Sequence, residues 1–263
     1  NTLRLDQKKM LRDNGEKAVG RRLNGESIGI GPVEAYSKRR GLIDRRAICE
    51  HFGWDQRKPI ICVYASNWFD YPHSYGMSNF LNFFDWITFI LDHARNSDKC
   101  SWLFKAHPCD DFYGGATLKD FVDVSQHKHI KLASDNWNGK MFLECIDGVI
   151  TYHGTIGVEA ACMGKPVLVA DYGWYSDLGF VKCPNSRHEF GKLLQENWWS
   201  EVITSEIIGV AQVFAGAYWG RPSWQDNFVL DADTDQSTIY ETAPPLLKKY
   251  KHKLLLLIDV QYH

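Results

Sequence analysis

At 263 residues, 44% hydrophobic and 24% charged, the chain reads as a soluble globular protein able to fill one large domain or two smaller ones. Its net charge of -2 and pI near 6.6 remove any global electrostatic case for a nucleic-acid partner. Seven cysteines with no C-x-x-C pair exclude a disulfide framework and a zinc cluster and point to a reducing, cytoplasmic compartment, while the lack of an apolar run of transmembrane length makes any membrane contact peripheral, at the inner face.

The sequence starts at Asn1 with a charged helical stretch, then Gly25-Glu26-Ser27-Ile28-Gly29-Ile30-Gly31-Pro32. This opening reads as the middle of a longer enzyme, so part of an active site is expected outside it. Residues 1–56 are accordingly a remnant or end of another domain. Pro59 to Ala65 is a continuous apolar run bounded by Arg57-Lys58 and the polar loop from Ser66, the pattern of a parallel-sheet strand. Phe80, Phe83, Phe84, Ile87, Ile90 and Leu91 recur at helical spacing and predict one wide apolar face. A second strand, Ser101 to Ala106, stops at His107-Pro108. A helix from about Thr117, a weak strand at Ile130-Lys131-Leu132 and a helix around Asn138 to Cys145 follow. The strand Gly148 to Thr151, a helix from Thr155 to Met163 and a strand from Pro166 to Ala170 complete the alternation. Strands alternating with helices predict an α/β fold, a Rossmann-like doubly wound parallel sheet over 57–225, with 226–263 as a C-terminal tail. In that tail Lys248 to Lys253 is basic and Leu254 to Ile258 apolar, which suits either a peripheral membrane segment or a buried terminal element.

Ligands of such sheets sit beyond the carboxyl ends of the strands. The loops Ser66 to Tyr75, Lys105 to Cys109, Tyr152 to Gly157 and Tyr172 to Gly179 all fall on that rim. The stretch from Ile150 to Ala170 is the most informative of them. A strand ends in His153-Gly154-Thr155, a helix opens, and Gly164-Lys165-Pro166 breaks into the next strand. Free amides and the positive end of the macrodipole make such a turn a phosphate site, although an ordinary crossover with glycines for tight packing has the same pattern. Ten Trp, twelve Tyr and fourteen Phe would suit stacking on sugar rings or bases, but most are expected in the core.

Lys105-Ala106-His107-Pro108, Thr151-Tyr152-His153-Gly154-Thr155, Gly157-x-Glu159-Ala160 and Gly164-Lys165-Pro166-Val167 together resemble the carboxyl-terminal, donor-binding half of GT-B glycosyltransferases that build bacterial capsule and lipopolysaccharide. The nearest pattern is that of transferases of Kdo carrying a His-Pro motif, and the likeness runs from about Lys58 to Gly179. It implies a nucleotide-sugar donor, CMP-linked in the Kdo case, a glycan or glycolipid acceptor, and no cofactor or metal. The D-x-D spacing of Asp233-Thr234-Asp235 lies beyond the sheet. By this resemblance His107 contacts the donor phosphate and His153, Gly154 and Thr155 line the nucleotide phosphate site; Lys105, at the end of its strand, would supply a further donor to the charge growing on the phosphate oxygens, and Asn67 is placed in the donor set. Glu159, one helical turn beyond Thr155, would bind the ribose hydroxyls, a carboxylate being able to accept two hydrogen bonds. Asp70 would be the catalytic carboxylate, as nucleophile or as general base. Glu26 would face the acceptor from the other half of the cleft and is the second candidate for the catalytic carboxylate, next after Asp70. Each has a plainer reading: Asp70 as a turn former before Tyr71-Pro72, Glu159 as a capping carboxylate, Lys105 and Glu26 as solvated charges, and His107 as a loop histidine. Two rival readings stand beside this one: a CDP-glycerol-type glycerophosphotransferase, which also pairs a Lys-x-His-Pro loop with a small-residue turn, and a non-catalytic nucleotide-binding domain.

Overall fold

Five short apolar runs form one parallel sheet in the computed structural model, which describes residues 4–26, 30–37, 39–67, 78–110, 117–122 and 126–220. The strands are β1 (Ile60–Tyr64), β2 (Ser101–Lys105), β3 (Ile130–Leu132), β4 (Gly148–Thr151) and β5 (Val167–Val169), in the order β3-β2-β1-β4-β5. Chain order reverses at β1, so the crevice of a doubly wound sheet falls between β1 and β4. The register is flush at that end: Tyr64 pairs with Lys105 on one side and Thr151 on the other, and Thr151 with Val169.

Helices α1 (Leu5–Leu23), α2 (Ile30–Ala35) and α3 (Arg45–Phe52) precede the sheet. Then come α4 (Phe83–Arg95), α5 (Leu118–Phe121), α6 (Gly139–Cys145), α7 (Ile156–Cys162), α8 (Arg187–Gln195) and α9 (Ser205–Tyr218). Polar side chains start several of them. Asp44, Asn82, Asn138, Ser186 and Thr204 each accept a backbone N–H in the following turn, satisfying donors that have no partner inside the helix. Gly53, with φ 69°, ends α3 in the left-handed conformation that only glycine adopts without strain.

Side chains alternate across each strand and build two cores. Ile60, Cys62, Leu103, Val149, Val167 and Val169 meet α1, α3, α6, α7 and α9. Ile61, Val63, Trp102, Phe104, Ile150 and Leu168 meet α4 and α8. The aromatic-rich helix and most of its apolar face are as expected: Phe83, Ile87, Ile90 and Leu91 are buried on α4 together with Trp86 and Ala94, and Phe80 is buried just ahead of it, but Phe84 is 47% exposed, touching Phe121 from outside the core. The helix expected from Thr117 is a single turn. Gly164 and Lys165, which resemble a family motif, hold the backbone together. Gly164 takes φ 72°, and the Lys165 ammonium donates to the carbonyls of Glu144 and Ile146, closing the end of α6.

Helix α1 lies along α9 at backbone distance. A Cβ on Gly15 would stand 1.8 Å from the Gln212 carbonyl oxygen, and one on Gly216 would stand 1.8 Å from that of Leu11. Val19 and Leu23 thereby reach Ala211 and Ala215 in the same core.

Candidate functional site

Because side chains alternate, the last residues of three neighbouring strands, Tyr64, Lys105 and Thr151, point to one face. That face opens into a cavity of about 980 Å³ at the switch point. Its lining includes Asn67, Lys105, His107, His153, Gly154, Thr155 and Glu159, so every residue expected to bind the donor meets in one place. Glu26 does not line it; its side chain is exposed just past the end of α1. Asp70 and the pair Asp233 and Asp235 lie outside the described residues, as does the tail from Pro244. The segment holding Asp70 is flanked by Asn67, buried in the cavity wall, and by Ser78 and Asn79.

Lys105 is the most unusual group present. It is only 6% exposed, no carboxylate of the described residues lies within ion-pair distance, and its ammonium sits 5.6 Å from the Phe142 ring centre. Burial pushes its pKa below the ordinary lysine range. A buried cation without a counter-charge is costly unless a ligand supplies one. Beside it the Tyr64 hydroxyl is buried with no hydrogen-bond partner among the described residues, and burial raises its pKa, keeping it a donor. Nothing in the sequence marks Tyr64, which closes an apolar run like any core residue.

At the next strand end, the Cys109 amide donates to His107 Nδ1 at 3.2 Å, which puts the ring proton on Nε2. His153 is half-buried, and burial lowers its pKa, favouring the neutral ring. The Tyr175 hydroxyl donates to the Gly154 carbonyl at 2.7 Å, and a Cβ on Gly157 would stand 2.4 Å from the Tyr175 oxygen. Gly157 therefore serves packing. Its own amide donates to Gly154, leaving the Thr155 and Ile156 amides, with no backbone acceptor among the described residues, at the cavity.

Glu159 is held rather than exposed. Arg22 of α1 donates to it through Nε at 2.8 Å and Nη2 at 2.7 Å, and the Tyr36 hydroxyl donates to its other oxygen. Burial raises the carboxyl pKa and Arg22 opposes the rise. Arg22 in turn stacks on Trp219 at 4.0 Å, so α1 and the end of α9 jointly close this wall. Sequence patterns single out neither Arg22 nor Tyr36, since each is more than a hundred residues from its carboxylate. Asp171 carries no sequence signal either. It is 1% exposed, accepts from Ser78, Asn79 and the Tyr152 hydroxyl, and although burial would raise its pKa these bonds hold it below the usual carboxylate range. It ties the segment before α4 to the end of β5.

These features define an α/β protein with a Rossmann-like sheet and a cation-lined cleft beyond its strands. Residues 78–190 match the family described as capsule polysaccharide biosynthesis protein. No curated protein matches. Among solved structures, KpsC of Thermosulfurimonas dismutans, a beta Kdo 2,4 transferase, is 14% identical over 77% of this chain and 55% of its own, with a TM-score of 0.49. HepE of Anabaena, solved with UDP, is 14% identical over 67% of this chain and 48% of its own, at 0.39. The wall teichoic acid polymerase TagF gives 14%, 67%, 46% and 0.39. The chain thus spans about half the length of these structures. Its doubly wound fold is established by its own sheet order.

Proposed function

We propose that the cleft binds a nucleotide-activated sugar by its phosphate and that the chain contributes the donor side of a GT-B glycosyltransferase acting on a surface polysaccharide. The observation that carries this is the buried Lys105, with no carboxylate within ion-pair distance among the described residues, in the same cavity as His107, His153 and Thr155. When the bond from the anomeric carbon to the phosphate oxygen breaks, the oxygen keeps the electron pair, and donors fixed in a low-dielectric pocket stabilise that charge. Lys105 supplies the positive charge, so transfer needs no metal. The match of residues 78–190 to capsule polysaccharide biosynthesis supports a polysaccharide acceptor. The resemblance of the His-Pro loop supports a CMP-linked donor such as that of Kdo. Asp70 provides the carboxylate that attacks the anomeric carbon or takes the proton of the acceptor hydroxyl.

The test is a panel of CMP, CDP, UDP, GDP and ADP in thermal shift, with and without EDTA. A nucleotide at 100 times its dissociation constant adds about 2.7 kcal/mol, or roughly 5 to 10 °C for a unit of this size. The shift should survive EDTA and vanish in His107→Ala. Asp70→Asn should keep the shift while transfer falls by several orders of magnitude. The mass added to the acceptor separates a sugar from glycerol phosphate. A panel without any shift refutes the proposal.

A further inference from the structure

The cavity lining is chemically mixed. Lys105, His107 and Thr155 line it together with aromatic rings from the loop after β5 and the end of α9. Tyr172, Trp174 and Tyr218 are 61%, 39% and 40% exposed, whereas Trp86, Trp102, Tyr152 and Tyr175 are fully buried. Resting on the reading of the cleft as a glycosyltransferase donor site, we infer that this aromatic lip is the acceptor subsite, where pyranose rings of the growing glycan stack against Trp174, Tyr172 and Tyr218.

The lip is built and held in place. Gly173 lets the loop press onto the phosphate side, since a Cβ there would stand 2.9 Å from that of His153. The Trp174 indole donates to the His153 carbonyl at 3.4 Å, and its ring centre lies 4.3 Å from that of Tyr218. Trp174 therefore touches the same residue that lines the phosphate site, and a ring stacked on it is next to the donor's reacting end. The chemistry fits a sugar. Aromatic faces carry negative quadrupole density that attracts the C–H face of a pyranose, and the Asp177 carboxylate, bonded to the Tyr172 hydroxyl at 3.2 Å, offers an acceptor for ring hydroxyls. Trp174 and Tyr218 pack directly against each other at 55°, so together they present one bent aromatic surface on which the face of a single sugar ring can stack.

The experiment uses the full chain on an array of bacterial capsular and lipopolysaccharide glycans, followed by titration of the glycan giving the strongest signal. Trp174→Ala and Tyr172→Ala should each weaken that glycan about tenfold, the equivalent of about 1.4 kcal/mol, with nucleotide shifts unchanged. Tyr172 is bonded through its side chain only to Asp177 among the described residues, so its variant remains informative if Trp174→Ala unfolds. A blank array for the wild type, glycan affinity unchanged in both folded variants, or nucleotide affinity falling together with glycan affinity overturns the inference. Glycan binding lost in the variants of a protein that shifts with no nucleotide upholds the lip and refutes the donor-site reading instead.

Discussion

Gly216→Ala is expected to unseat α1, and the neighbouring Gly20→Ala to do the reverse. A methyl at residue 216 would stand 1.8 Å from the Leu11 oxygen and 2.7 Å from its carbonyl carbon, where side-chain carbons do not come within 3.0 Å of another heavy atom. The obstacle is backbone, which has no rotamer to change, so the helices must part from 1.8 to at least 3.0 Å at this point. Overpacking of this kind costs about 1–3 kcal/mol, equivalent to a melting point lower by roughly 2 to 12 °C in a unit of this size. Gly20 belongs to the same helix as Gly15 but has nothing within 4 Å of a Cβ. Alanine there recovers the helical penalty of glycine, about 0.5–1 kcal/mol, and should raise the melting point by roughly 1 to 4 °C. Parting α1 from α9 also draws Arg22 off Glu159, so nucleotide affinity should fall in Gly216→Ala and not in Gly20→Ala. Thermal and urea melts with a nucleotide titration decide it. A Gly216→Ala protein with wild-type stability, or a Gly20→Ala protein destabilised as much, refutes the close-contact reasoning.

Arg22→Met leaves the buried Glu159 carboxylate without its counter-charge, which costs about 3–5 kcal/mol. Because losing Arg22 pushes the folded carboxyl further above its unfolded value, protonation favours the folded state. The deficit should be least near pH 4 and grow as pH rises through the folded value, and adding Glu159→Gln should recover most of it; a deficit independent of pH in urea melts contradicts this. For Lys105, burial lowers the folded pKa, so the folded protein sheds that proton before the unfolded chain. The cost is full below the folded value and fades toward the ordinary lysine value of about 10.4. Lys105→Met should therefore melt above the wild type at pH 7, by a margin that narrows toward pH 10, while losing the nucleotide shift. Melting below the wild type with nucleotide binding intact would exclude the anion-site role.

The strands are legible in the sequence because a parallel strand buried on both faces leaves an unbroken apolar run, as in Ile60 to Tyr64 and Gly148 to Thr151. That the residues expected to bind a donor share one cavity is legible for a related reason: polar groups directly after such runs must fall on the rim of the sheet. What stays hidden depends on partners distant in sequence. Glu159 can be placed on the correct side of α7, but nothing local shows that Arg22 and Tyr36 hold it. Tyr64 and Asp171 sit at strand ends where an apolar or turn residue would look equally natural. Phe84 falls in the apolar stripe by spacing and outside the core in fact, because spacing alone does not reveal where a buried face ends.

The seam between α1 and α9 also bears on how the molecule is made. Arg22 emerges from the ribosome early, its carboxylate on α7 much later, and the helix that clamps α1 last of the described elements. At 5–20 residues per second, α1 waits roughly 10 to 40 s for α9. Until then the close contact of Gly15 with Gln212 and the cavity wall formed by Arg22 and Trp219 do not exist. A chain halted before Ser205 thus carries the strands and the turn at His153 to Thr155 without the wall that α9 closes, so closure of the cleft follows synthesis of α9.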